Sequence, residues 1–68
     1  MRLKVNGQDI ETTSATVLQL LHEMVIEPER VAVEVNLKVI RKTEFERHPL
    51  WEGDVVEIVN FVGGGSKK

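Results

Sequence analysis

Three consecutive glycines, Gly63-Gly64-Gly65, follow the β-branched run Val55-Val56-Glu57-Ile58-Val59-Asn60-Phe61-Val62, and Ser66-Lys67-Lys68 comes after them. Glycine has no side chain to bury and loses more backbone freedom on folding than any other residue, so the run adds nothing to a core. It suits a thin, mobile tail able to enter a narrow site on another protein. A frayed terminus has the same composition, so the other reactive residue types must weigh the tail. His22 and His48 lie far apart with no paired-ligand spacing around them, which points to surface or half-buried roles rather than metal binding. Ser14 and Ser66 lack a nucleophile-elbow context, and the glycines lack the Lys-Ser/Thr and helix of a phosphate-binding loop. Glu23, Glu27, Glu29, Glu34, Glu44, Glu46, Glu52, Asp54 and Glu57 are interspersed with basic residues as on a solvated surface, from which a few could form an acidic docking face. No constellation supports an independent enzyme.

With no cysteine, the chain has no disulfide, thiolate metal site or persulfide of its own. Sixty-eight residues make one small domain, which buries only about 60% of the surface of its unfolded chain and leaves little room for an enclosed active site. A net charge of -2 gives no footprint for nucleic acid. No stretch approaches the length of a membrane span, and a cytoplasmic location is expected.

The elements that must carry the tail are legible in the pattern. Arg2 to Val5 alternates, Asn6-Gly7 is a strong two-residue turn, and Gln8 to Thr13 can return as a second strand. Thr16 and Gln19 fit a capping box, and Val17, Leu20, Leu21 and Met24 share one helical face, so an amphipathic helix is expected to stop before Pro28. Val31, Val33 and Val35 alternate as in a half-buried strand, and Leu37 to Arg41 can form a short fourth one. Thr43 to Arg47 reads as one capped helical turn ended by Pro49; Trp51 falls in a loop, Glu52-Gly53-Asp54 is a turn, and Val55 to Phe61 is the last, central strand. Phe45 and Trp51 are expected to help close the core, whereas Phe61, with Val62, suits either the core or a partly exposed anchor.

One helix needs one sheet face to cover its apolar stripe, and the late strand must return to pair with the first hairpin. The expected class is therefore α+β: a β-grasp, ubiquitin-like mixed sheet of four to five strands around one main helix plus a short helical turn. A ferredoxin-like fold would need a second comparable helix. The expected division is a β-grasp domain over 1–62 and a glycine-rich tail over 63–68.

The closing Glu52-Gly53-Asp54-Val55-Val56-Glu57-Ile58-Val59 and Phe61-Val62-Gly63-Gly64-Gly65, with the Val5-Asn6-Gly7 turn and the Thr16-Val17-Leu18-Gln19-Leu20-Leu21 helix start, resemble the ThiS family of sulfur carriers in thiamine biosynthesis. The related small subunit of molybdopterin synthase shares the fold and a diglycine end, but the FVGGG ending favours ThiS. The resemblance covers residues 1 to 65 and implies that the Gly65 carboxylate is adenylated by a ThiF-type adenylyltransferase, using that partner's ATP and magnesium. A sulfur donor protein then converts it to a thiocarboxylate, and a ThiG-type thiazole synthase accepts the sulfur. Gly63 and Gly64 would thread the partner's channel, and Phe61 and Val62 would bind its surface. The carrier itself holds no cofactor or metal. Ser66-Lys67-Lys68 departs from this pattern and must be removed before Gly65 can react. Alternatives are a sulfur carrier for molybdopterin or amino-acid sulfuration, and a non-covalent ubiquitin-like module with the glycines as a spacer.

Overall fold

The computed structural model describes residues 1–61. Among them, five strands form one sheet: β1 (Arg2–Val5), β2 (Gln8–Glu11), β3 (Val31–Val35), β4 (Lys38–Ile40) and β5 (Val55–Asn60), with helix α1 (Val17–Glu23) between β2 and β3. The spatial order is β2-β1-β5-β3-β4, with β5 antiparallel to β3 and parallel to β1. The expected central place of the last strand is therefore observed, as is the β-grasp arrangement of one sheet around one helix.

Local chemistry explains each element. Asn6 and Gly7 both take positive φ, 50° and 83°, as a tight hairpin turn with the right twist demands. The Thr16 hydroxyl accepts the Gln19 N–H, while the Gln19 side chain accepts the N–H of Ala15, one residue before the reciprocal partner of a standard capping box. Val17, Leu20 and Leu21 of α1 are buried against Leu3, Val5, Val31, Val33, Val35 and Val56 of the sheet, with Phe45 and Leu50 closing the open end. Phe45 has the expected core role; Trp51 does not, because it stands 68% exposed on the turn that precedes β5.

Several boundaries differ from expectation. β2 ends at Glu11 rather than Thr13, because the buried Thr12 and Ser14 hydroxyls both donate to the Glu23 carboxylate. Those two bonds, Ser14 first, hold the Glu23 carboxyl below its ordinary value of 4.5. β4 starts at Lys38, because Asn36 and Leu37, at φ 53° and 72°, form a second tight turn. The helical turn is a 3₁₀ segment at Lys42–Glu44, and a further one at Pro28–Arg30 was not anticipated.

α1 stops at Glu23, ahead of Pro28 as expected. The Ile26 N–H donates to the Leu21 carbonyl at 2.8 Å and the Val25 N–H to the His22 carbonyl at 3.0 Å, the paired bonds of a Schellman cap. Ile26 packs back on the core, so the cap is locked from inside. Its left-handed position is held by Val25 at φ 59°, a β-branched residue where glycine is usual. Val25 is 91% exposed and contributes almost no burial to offset that strain. Val25→Gly is therefore expected to raise stability by about 0.5–1 kcal/mol, the left-handed penalty less the extra freedom of glycine in the unfolded chain. A urea titration checks this, and a lowered midpoint would refute it.

Candidate functional site

β5 is paired with β3 along most of its length, with β1 at Val55 and Val56, and with two side chains that act as extra rungs. At its start, Asn36 accepts the Val55 N–H at 3.0 Å, and its amide nitrogen donates to Asp54 at 2.9 Å. Further along, Asn6 accepts the Ile58 N–H at 2.7 Å and donates to the Ile58 carbonyl at 3.2 Å. Each asparagine sits at a positive-φ turn, a conformation its short polar side chain tolerates, so the two hairpin turns are also clamps on the central strand. The antiparallel ladder with β3 runs to Val31 opposite Asn60, and the Phe61 N–H donates to the Arg30 carbonyl at 2.8 Å. The backbone is thus fixed up to Phe61, the last described residue.

Phe61 is 54% exposed, so of the two expected roles it is not a core side chain. The Lys42 ammonium lies 5.7 Å from its ring centre, within cation–π range. The same ammonium donates to the Glu29 carbonyl at 3.1 Å and lies 3.7 Å from the Glu29 carboxylate, so Lys42 links the two 3₁₀ segments beside the exit of the chain. Val62, Gly63, Gly64, Gly65 and Ser66-Lys67-Lys68 lie outside the described residues.

The outer face of the sheet, away from α1, continues from Phe61. Val55 and Val59 of β5 and Val39 of β4 are exposed there, with Glu57 directly opposite Glu34 across the β5–β3 ladder. Among the described residues neither carboxylate has an ion-pair partner, although Asp9, Glu11, Glu27, Glu29 and Glu44 all do. Like charges directly opposite each other weaken a ladder, and exposed valines gain nothing from water, so this face is not arranged for the stability of the isolated chain. Sequence reasoning singled out Phe61 but not this face. The signal was available in the spacing: Val55, Glu57, Val59 and Phe61 are two apart and must share one side of a strand.

The other candidates are accounted for by structure. His22 is exposed on α1; His48 is half-buried and acts through its backbone, its carbonyl accepting the Val17 N–H at 3.1 Å. Among the described residues no three His, Asp or Glu side chains gather as metal ligands, and no helix is long and apolar enough to cross a membrane. Trp51, His48, Pro49, Lys38 and Asp54 line a shallow cleft of about 340 Å³, at the start of β5 and so about 20 Å along the strand from Phe61.

Known proteins share both sequence and fold. The ThiS family model matches residues 3–65. The chain is 40% identical over 67 residues to a thiazole synthase of Paramagnetospirillum magneticum, covering 97% of this chain and 21% of that one. It is 38% identical over 65 residues to the sulfur carrier protein ThiS of Bacillus subtilis, covering 93% of this chain and 98% of that one. The chain thus spans about a fifth of the thiazole synthases it matches and nearly the whole of the carrier. The crystal structure of the thiamine biosynthesis protein ThiS from Geobacter metallireducens superposes with a TM-score of 0.81 at 35% identity, covering 96% of this chain and all of that one. With the matched region taking in the sheet, the helix and the closing glycines, the chain belongs to the ThiS family.

Proposed function

We propose that this protein is a sulfur carrier of thiamine biosynthesis, working in the cytoplasm, and that its reactive group is the carboxylate of Gly65. The observation that carries this reading is the presentation of β5. A central strand pinned from both sides delivers the chain to a half-exposed Phe61, four residues before the glycine that the family's pattern makes terminal. Relatives of nearly equal length in Bacillus subtilis and Thermus thermophilus are named sulfur carrier proteins, which supports a carrier rather than an enzyme.

The chemistry follows from the weakness of a carboxylate as an electrophile. A ThiF-type adenylyltransferase joins the Gly65 carboxylate to the α-phosphorus of ATP, releasing pyrophosphate, with magnesium bound on the partner. AMP is then the leaving group when sulfur from a donor protein attacks the carbonyl carbon, on the way to the thiocarboxylate. Glycine leaves that carbon unhindered, and Gly63 and Gly64 allow an extended backbone to thread a channel and hold the reacting atoms in line. A ThiG-type thiazole synthase would accept the sulfur, a link supported by the thiazole synthases that contain a matching stretch. Ser66-Lys67-Lys68 must leave first, since an internal glycine has no free carboxylate.

The test is intact mass. A form ending at Gly65, mixed with ATP, magnesium, a ThiF-type enzyme and a sulfur source, is expected to gain about 16 Da as one oxygen is exchanged for sulfur, whereas the form retaining residues 66–68 stays unchanged. No gain with a partner that thiolates its own carrier would sink the reading. The exposed valines around Glu34 and Glu57 also suit a purely non-covalent module. That reading expects partner binding to survive deletion of residues 63–68.

A further inference from the structure

The clamp that Asn6 places on β5 is also a reactive dipeptide. In Asn6-Gly7 the following residue has no side chain to hinder approach to its own backbone nitrogen, and open space lies where that side chain would stand. What restrains the side chain is its pair of hydrogen bonds to Ile58, at 2.7 and 3.2 Å. We propose that Asn6 is a site of spontaneous deamidation gated by these two bonds, and that its conversion releases the clamp on the strand leading to Phe61.

The reaction needs no partner and no oxidant. The Gly7 backbone nitrogen gives up its proton and attacks Cγ of Asn6; the new C–N bond closes a five-membered succinimide, and the Cγ–Nδ2 bond breaks as Nδ2 takes up a proton and leaves as ammonia. Water then opens the ring at one carbonyl or the other, leaving aspartate or isoaspartate. For Cγ to reach the Gly7 nitrogen, the side chain must first leave Ile58, so the fold slows the reaction by the rarity of local opening between β1 and β5. Either product loses the amide donor, setting a carboxylate oxygen against the Ile58 carbonyl. The isoaspartate form also adds a methylene to the backbone of a two-residue turn that has no slack.

Asn36 and Asn60 serve as internal references, because Leu37 and Phe61 crowd the nitrogen that would have to attack. The full chain is incubated at mildly alkaline pH, folded or in urea, and peptide mapping follows the aspartate and isoaspartate forms at each asparagine. In urea, Asn6 is expected to convert well ahead of Asn36 and Asn60; in the folded chain its rate should fall at least about tenfold. Equal rates in both states overturn the gating, and an Asn6 no faster than Asn36 in urea overturns the site. For the clamp, hydrogen exchange at the Ile58 amide is compared between the unconverted chain and the fraction carrying isoaspartate at position 6, whose lengthened backbone moves the carboxylate away from the strand; roughly tenfold faster exchange is expected, and an unchanged rate counts against release. None of these readouts depends on sulfur transfer, so the inference stands or falls apart from the carrier reading.

Discussion

Leu20→Ala is expected to lower the unfolding free energy by about 3 kcal/mol, a large share of the total stability of so small a domain. Leu20 is 0% exposed and lies on the face of α1 that meets the sheet. With a single helix over a single sheet, there is no second layer to move into the space of the missing side chain, and the residual cavity adds to the lost transfer energy. A chain of this length buries only about 60% of its unfolded surface, so it has little stability in reserve. Urea denaturation at 25 °C should show a midpoint well below that of the parent with a similar slope. The half-buried Leu18, one position from the seam, supplies the comparison: Leu18→Ala should lose much less. A loss under about 1 kcal/mol at Leu20 would mean that the sheet collapses onto the helix more freely than its packing implies.

Phe61→Ala is expected to weaken binding of the adenylating partner by about 2 kcal/mol, roughly thirty-fold, while moving the unfolding midpoint little. The asymmetry comes from placement. Over half of the ring is already in water, so truncation removes little folding energy, yet a partner that receives the tail must pass over this ring first. The Lys42 ammonium over the ring fixes one rotamer in advance and lowers the entropy lost on docking. Calorimetric titration of the partner with the parent and variant forms gives the affinity, and melting of the free proteins gives the control. Unchanged affinity would show that the anchor lies elsewhere on the outer face; a large drop in midpoint would return Phe61 to the core.

Much of the architecture was legible because its signals are local. Val31, Val33 and Val35 are buried and alternate with half-buried neighbours, so period two alone placed β3. Asn6-Gly7 marked the first turn because both residues accept positive φ. The second turn was missed at Asn36-Leu37, since leucine at φ 72° is tolerated by the bonds around it rather than favoured by its own chemistry. Pro28 bounded the end of α1 from sequence, but Val25, a β-branched residue, gives no cue for the left-handed cap that ends it at Glu23. The clamps of Asn6 and Asn36 on β5 join residues up to 52 positions apart, a distance no sequence window spans. As for the site, the exposure of Phe61 followed from its position after the last strand, but the proposed role of Gly65 rests on family resemblance. Spacing alone makes three glycines a spacer as readily as an acyl group.

The last strand in sequence is the middle strand in space, and this has a bearing on how the molecule is made. Before β5 is available, β1–β2 and β3–β4 are two hairpins with no ladder between them, because the strand pairing between the halves of the sheet runs through β5. During synthesis the sheet therefore stays unassembled until β5 has left the ribosome, and the pairing of Lys4 with Val55 closes a long loop. A product broken off early cannot reach the folded state at all. Any copy with an intact sheet has, by that fact, been synthesised through Asn60, so the architecture registers that translation has reached the strand leading to the glycines.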